Sequence, residues 1–441
     1  MGYLDEDLPL DIPVIDNSMI KVIGVGGGGG NAVNHMYRQG IGDVSFVVCN
    51  TDNQSLIKSP IPTKIQLGMN TTSGLGAGGN PEVARRAAEE SIEKIEELLH
   101  DNTKMVFITA GMGGGTGTGA SPIVAKAAHD LGILTVAIVT IPFAFEGNLK
   151  IKQALEGVAA LSEHVDAILV INNEKLKEIY PDLELANAFA KADDVLTNAA
   201  KGIAEIITVT GYINTDFADV YTIMKDGNVA IMNTGYAQGE NRITKAIEDA
   251  LNSPLLNTND VKGASKVLLS LYCSTTNPIK MEEVQQIHDF MTKVGDDVVV
   301  IWGATYDDNL GDNVKITLIA TGYNVGDIPG MPANYSRNKK QVNKENPEQQ
   351  NDVNANQTQT TSEKEIKSDK QSDIQKAMDQ YYGKQKNATE IEEELPVEKM
   401  EVEEKEDTDD LKVFTLEDFE NESTLKEIEN IPAWKRRFAK K

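Results

Sequence analysis

Two glycine runs, each pinned between an apolar strand and a helix, constrain this chain more than any other feature. The first is Gly24-Val-Gly-Gly-Gly-Gly-Gly-Asn31, which follows the apolar run Met19–Gly24 and precedes a helix read over Asn31–Gly40. The second is Gly111-Met-Gly-Gly-Gly-Thr-Gly-Thr-Gly119, between a strand at Met105–Ala110 and a helix opening at Ser121-Pro122. Glycine tolerates positive φ and lets successive backbone N–H groups, together with a helix N-terminus, close on an anion. The first run satisfies G-x-G-x-x-G, but so many glycines satisfy many patterns, and a ligand-free turn stays open for it taken alone. It lacks the Lys-Ser/Thr of a P-loop. Two such turns at one end of a parallel sheet can converge on a single polyphosphate, where a dinucleotide enzyme normally offers one. Thr116 and Thr118 add hydroxyl donors to the second turn.

Around these runs strands and helices alternate. Val44–Cys49, Leu134–Phe143 and Ala167–Asn172 read as strands, and Asn80-Pro81 caps a helix running to about His100. The alternation implies an α/β fold with a doubly wound, mainly parallel sheet. A long helix follows, its apolar stripe stepping through Leu185, Phe189, Ala192, Leu196, Ala199, Ile203 and Ile206. Residues 217–322 form a second, smaller αβ unit, with strands near 228–237, 264–274, 297–304 and 314–321 and helices near 241–252 and 281–294. The expected organisation is a flexible leader (1–18), a first αβ domain (19–182), the connecting helix (183–209) and a C-terminal αβ domain (210–325). An acidic linker (326–410) and a C-terminal tail (411–441) complete it.

Charge and composition narrow the function. The net charge of −26 argues against nucleic acid, whose phosphates need a basic footprint. Residues 341–410 hold 9 basic and 20 acidic side chains and only 8 of Val, Ile, Leu or Phe, a composition that does not bury a core. An acidic body that binds an anionic ligand must use backbone amides and a metal ion rather than a cationic surface. Cys49 and Cys273 sit in apolar runs and read as buried, reduced thiols. The five histidines lack metal-ligand spacing, and neither a signal peptide nor an apolar run near ~20 residues is present, so the reading is cytosolic.

The segment Gly-Gly-Gly-Thr-Gly-Thr-Gly within Gly113–Gly119 resembles the signature of the tubulin/FtsZ family, and the leading Gly-Met resembles its FtsZ branch. The resemblance implies a GTP- and GDP-binding site with Mg2+ on the nucleotide and no direct protein ligand to the metal. Its implied phosphate contacts are Gly26, Gly27, Gly28, Gly29, Gly30 and Asn31, then Gly114, Gly115, Thr116, Gly117 and Thr118. Asn50 and Asp52 follow the second strand, and Gly76, Ala77 and Gly78 resemble the loop facing the terminal phosphate. Glu146 resembles the ribose contact. Lys150 stands where the family carries an arginine, keeping the charge without the bidentate fork. Phe189 and Asp193 match the base pocket. A carboxylate there can accept from guanine N1–H and N2–H2 together, a donor pair adenine lacks. On its own residues, without the resemblance, Asp193 reads first as a solvated helix acid.

Asn214, Asp216 and Asp219 in Gly211-Tyr-Ile-Asn-Thr-Asp-Phe-Ala-Asp219 resemble the family's catalytic loop, although an Asn/Asp helix cap is the local alternative. From Asp193 to Asn214 is a mostly helical span of about 30 Å, too far for these carboxylates to reach their own chain's nucleotide. A head-to-tail stack lets them reach a neighbour's, which makes filaments and ties hydrolysis to assembly. At the C-terminus, Ile431, Pro432, Trp434, Arg436 and Arg437 resemble the family peptide that docks on an actin-like membrane tether and other division proteins. Direct contact of a basic end with anionic lipid is the alternative. The resemblance thus implies a division-ring GTPase beneath the inner membrane. Its rivals are a filament protein that does not turn over and a dinucleotide oxidoreductase.

Overall fold

The structure, a computed structural model, describes residues 18–331 apart from 180, 181, 183, 210, 252–262, 296, 329 and 330, with the backbone of two short strands further on. The leader before residue 18, the acidic linker after residue 331 and Ile431–Trp434 lie outside the described residues. The first half runs β1 (Ile20–Val25), α1 (Gly26–Arg38), β2 (Val44–Asn50), α2 (Asn53–Lys58), β3 (Thr63–Gln66), α3 (Met69–Thr72), α4 (Pro81–Glu90) and α5 (Ile92–Leu99). It continues with β4 (Met105–Gly111), α6 (Thr116–Asp130), β5 (Leu134–Ile141), α7 (Asn148–Ser162), β6 (Ala167–Asn172) and α8 (Asn173–Ile179). The long α9 (Leu185–Thr208) leads to α10 (Phe217–Met224), β7 (Asn228–Ala237), α11 (Arg242–Leu251), β8 (Lys266–Cys273), α12 (Met281–Val294), β9 (Val299–Tyr306) and β10 (Val314–Tyr323).

These strands form one ten-stranded sheet in the order β3-β2-β1-β4-β5-β6-β7-β10-β8-β9. The first six are parallel throughout, and the order reverses between β1 and β4. In a doubly wound sheet that reversal opens a crevice at the carboxyl ends of the two strands. The second αβ unit does not form a separate sheet. It joins through a short parallel register, Ala167 with Asn228 and Ile168 with Val229, after which β10 runs antiparallel to β7 and β8.

β1 and β5 are buried along their whole length, which explains why they read as unbroken apolar runs rather than alternating ones. Successive side chains nevertheless go to opposite faces. Ile20, Val22, Phe46 and Val48 pack with Ala32, Val33 and Met36 of α1 and with Leu196 and Ile203 of α9. Ile23, Val25 and Val47 pack on the other face with Ala87, Ile95, Val124 and Val158.

Four sequence expectations change. α1 begins at Gly26 and α6 at Thr116, so both glycine runs supply the first turn of a helix instead of preceding it. The first-turn N–H groups need no intrahelical acceptor, so glycine there exposes donors without breaking a bond. Pro122 consequently falls inside α6. The helix expected to run unbroken from Asn80 to His100 divides at Ser91, whose hydroxyl accepts the buried N–H of Gly68 at 2.9 Å. The α9 stripe is core from Ala192 to Ile206, but Phe189 is 41% exposed. Finally, folded chain extends past Gly326, because Ile328 and Met331 are buried in the core. Near the C-terminus, β11 (Lys412–Phe414) and β12 (Arg436–Phe438) pair in parallel; the second strand contains Arg436 and Arg437.

Candidate functional site

The crevice between β1 and β4 is where the glycine runs meet. Val25 and Ala110 are neighbours in the sheet, so α1 and α6 start side by side with their first-turn amides at the same end. Packing explains part of the glycine content. A Cβ on Gly26, at φ +75°, would sit 2.7 Å from the Gly117 nitrogen, and one on Gly28 would lie 3.1 Å from the Gly111 Cα. A Cβ on Gly29 would overlap the Thr109 carbonyl, and one on Gly117 the Gly111 carbonyl. Gly27, Gly30, Gly78 and Gly114 are different: a Cβ on any of them meets nothing within 4 Å. Their small size serves no protein contact. They line open space beside aligned N–H groups, a suitable cradle for phosphate oxygens.

The remaining phosphate-side segments converge on the same crevice. The Thr51 and Thr116 hydroxyls bond at 2.7 Å. Asp52 bridges to Leu75, and the Gly76 N–H donates to the Thr51 carbonyl at 3.2 Å. A Cβ on Gly115 would stand 3.0 Å from the Ala77 Cβ and from the Asn80 nitrogen. Asn50 is buried, its side-chain amide oxygen accepting the Asp52 N–H, while Asp52 caps α2. The Ser55 hydroxyl, bonded at 2.7 Å, is the main reason the Asp52 carboxyl titrates below the usual carboxylate range. Thr118 is buried and accepts the Gly113 N–H at 2.9 Å, closing the second loop on itself. Asn31 is exposed on the second turn of α1.

Aromatic rings mark the other end of the crevice. Phe143, buried after β5, stacks on Phe145 at 5.1 Å and meets Phe189 edge-on at 5.4 Å. Asp193 lies one turn beyond Phe189 on α9. Burial pushes its carboxyl up to about 6, against the opposing pull of His35. His35 itself bonds Asp194 at 2.8 Å and ties α1 to α9. The Glu146 carboxylate accepts the Phe143 N–H at 3.1 Å and pairs with Lys150 at 3.3 Å. Two asparagines that the sequence reading passed over follow: Asn172 ends β6 beside Ile141, and Asn173 begins α8. Both are buried, and Asn172 Nδ2 and Asn173 Oδ1 have no hydrogen-bond partner among the described residues. The available sequence signal was a paired Asn at the carboxyl end of a parallel strand.

Asn214, Asp216 and Asp219 lie apart from this cluster, beyond the far end of α9. Asp216 caps α10. Its Oδ1 accepts the N–H groups of Ala218 and Asp219, while Asp219 Oδ2 accepts the Asp216 N–H at 3.0 Å. Each carboxylate keeps its second oxygen outside this capping box. Asn214 is exposed and accepts the Gly211 N–H. Ile213 and Ala304 exchange two backbone bonds, laying the loop along the free edge of β9. The other end of α10 is held by Lys266, which donates to the Thr222 and Lys225 carbonyls, and by a 2.7 Å pair between Lys225 and the buried Asp166. Tyr212 stacks on Tyr306, and its hydroxyl titrates above the usual tyrosine range, chiefly through burial and then through the Cys273 thiol.

Comparison with known proteins matches both halves of the chain. The Tubulin/FtsZ family GTPase domain covers residues 19–181, and the FtsZ family C-terminal domain covers residues 228–324. The cell division protein FtsZ of Porphyromonas gingivalis is 51% identical over 362 residues, 80% of this chain and 77% of that protein. The same-named protein of Azotobacter vinelandii is 48% identical over 312 residues, 70% of this chain and 78% of that one. Among solved structures, an empty FtsZ dimer of M. jannaschii superposes with a TM-score of 0.64 at 43% identity, over 69% of this chain and 88% of that one. With converging glycine loops at the switch point of a doubly wound sheet and both family domains in sequence, the chain belongs to the tubulin/FtsZ family of GTPases, in its FtsZ branch.

Proposed function

We propose that this cell-division GTPase completes its active site between two copies stacked head to tail. One copy holds the nucleotide, and the next contributes Asn214, Asp216 and Asp219. The observation that carries the proposal is the separation of the two parts by α9, whose 24 residues extend about 36 Å. The family includes an FtsZ solved as a dimer, which supports self-association of this chain as well.

In the first copy, the amides of Gly26–Gly30 and Gly114–Gly117 surround the phosphates, with Gly76, Ala77 and Gly78 facing the terminal one. Asn31, Asn50, Asp52, Thr116 and Thr118 order the surrounding loops. Phe189 covers the base edge, and ionised Asp193 accepts from guanine N1–H and N2–H2. Asn172 and Asn173 supply the unpaired amide groups nearby, Glu146 meets the ribose hydroxyls, and Lys150 adds charge. Among the described residues no group of three or more His, Cys, Asp or Glu side chains could hold a metal ion. Mg2+ is assigned to the triphosphate itself, where it would neutralise charge. Water attacks the γ-phosphate in line, and the second copy's Asp216 and Asp219 orient and polarise that water through their oxygens outside the capping box. Such positioning suits a reaction governed by geometry and electrostatics.

The tail residues Ile431, Pro432, Trp434, Arg436 and Arg437 serve to dock the filament on an actin-like membrane tether and other division proteins, below the inner membrane. Among the described residues no helix is long and apolar enough to cross a membrane. The test of the shared site is phosphate release per subunit as a function of protein concentration. It should rise above a threshold; constant specific activity down to high dilution would sink the model.

A further inference from the structure

We propose that Tyr212 and Tyr306 form an aromatic buttress that positions the carboxylate loop, and that a second copy of this chain covers its open face on assembly. The inference rests on the shared-site reading above.

The carboxylate loop has little else to fix it. Among the described residues its backbone makes a single bridge to the body of the protein, Ile213 with Ala304, on the free edge of β9, and the Tyr212 hydroxyl meets the Cys273 thiol. Its internal tie is the bond from the Gly211 N–H to Asn214. Close fit helps on one side only: a Cβ on Gly303 would stand 2.6 Å from the Thr215 hydroxyl, and one on Gly211 would stand 2.5 Å from the Ala304 carbonyl. Nothing in those contacts stops the loop from rocking about the bridge. The Tyr212 ring does, because it lies on Tyr306 with centroids 4.6 Å apart and planes 27° from parallel. Tyr306 closes β9, so the stack sits diagonally across from the bridge and gives the loop a second fixed point. Two residues after Tyr212 comes Asn214, and two further on Asp216, so a tilt at the stack is passed directly to the carboxylates.

The buttress is only half enclosed. Tyr212 remains 46% exposed and Tyr306 45%, and Ile213 between the loop and β9 is also exposed. Stacked tyrosines left open to water beside a catalytic loop are the side chains that anchor protein interfaces. The other end of the molecule offers a matching surface. Met69, Leu75, Phe145 and Leu149, on the segments that rim the nucleotide crevice, are 57% to 87% exposed. A head-to-tail contact brings these apolar side chains against the tyrosine plate while it brings the carboxylates to the phosphate. Turnover and assembly would then be coupled through the same pair of rings.

The experiment compares the full chain with Tyr306→Ala and Tyr306→Phe. Three quantities are read: fluorescent GTP-analogue affinity in dilute solution, the concentration threshold for sedimentation with GTP, and phosphate release per sedimented subunit across a GTP series. Tyr306→Ala should bind the analogue as wild type does, with KM little changed. Its threshold should rise, and its kcat per sedimented subunit should fall roughly tenfold or more, the scale of a small misplacement of reacting groups. Tyr306→Phe keeps the ring and should restore both. If Tyr306→Ala melts early, Tyr306→Leu keeps apolar volume without a flat ring and carries the same expectation. Wild-type turnover per sedimented subunit in the Ala or Leu variant overturns the proposal, as does a Phe variant equally impaired. Should wild type itself turn over independently of concentration, the shared-site reading fails first; concentration-dependent wild type with an unimpaired Ala variant removes the buttress alone.

Discussion

At the carboxyl ends of β1 and β4 the polar groups proposed to meet a ligand belong to the backbone, whereas those proposed beyond α9 belong to side chains. The first region is assembled from four segments locked together by close glycine contacts and buried hydroxyls. The second is one exposed loop resting on a single strand edge and ending in a helix cap. A site made of amides tolerates no added volume but owes nothing to side-chain charge. A site made of carboxylates has room but depends on their ionisation and on what holds them. Holding a polyanion suits the former, since the donors are fixed before the ligand arrives. Completing a reaction only after assembly, as proposed above, would suit the latter, because Asn214 and Asp216 are exposed.

The largest expected effect separates locked from open glycines within the first region. A Cβ on Gly119 would overlap the Pro81 carbonyl, so Gly119→Ala should lower stability by several kcal/mol, on the scale of overpacking against an immobile neighbour. Gly27→Ala meets no atom, so it should melt like wild type while losing GTP affinity. Thermal unfolding and nucleotide titration of the two proteins check this, and equal melting temperatures would erase the distinction.

Next comes the carboxylate region. Asp216→Asn keeps a good N-cap residue and Asp216→Ala does not, so only the latter should destabilise α10, by about 1 kcal/mol. Both should still bind GTP and assemble, and both should lose turnover by on the order of 100-fold. If the Asn variant turned over normally, the carboxylate would be a cap and nothing more.

Asp193 gives a smaller, pH-dependent effect. Its folded value of about 6 lies above its ordinary one, so the ionised form is disfavoured by burial. The proton is held more tightly in the folded protein, and stability contributed by this group declines as pH rises from about 4 to 6. Guanine needs the ionised form, so GTP affinity should weaken as pH falls below 6. Asp193→Asn should weaken GTP at pH 7 by about 1.5–3 kcal/mol and flatten the dependence. Calorimetry between pH 5 and 7.5 reads both, and an unaltered slope in the variant would move the titration to another group.

The smallest effect on catalysis should come from the tail. Deleting residues 431–441 removes nothing from either region, so phosphate release should stay within experimental error while recruitment to a tethered partner disappears. A drop in turnover would mean that the tail touches the catalytic surface.

The sequence alone determined the alternation of strands and helices and the two glycine turns. Each of those is written in consecutive residues whose spacing matches a local geometry. Even the separation of Asp193 from Asp216 could be read, because a helix has a fixed rise. Only the tertiary structure decided that β1 and β4 lie side by side, so that Val25 and Ala110 bring the turns together. It alone placed Asn172 and Asn173 beside the aromatic end, moved Phe189 from core to rim and laid Tyr212 on Tyr306. At Asp216 it shows that the helix cap is real and that one oxygen of each carboxylate lies outside the capping box. Adjacency between segments a hundred residues apart depends on strand order and sheet register, which no local pattern encodes.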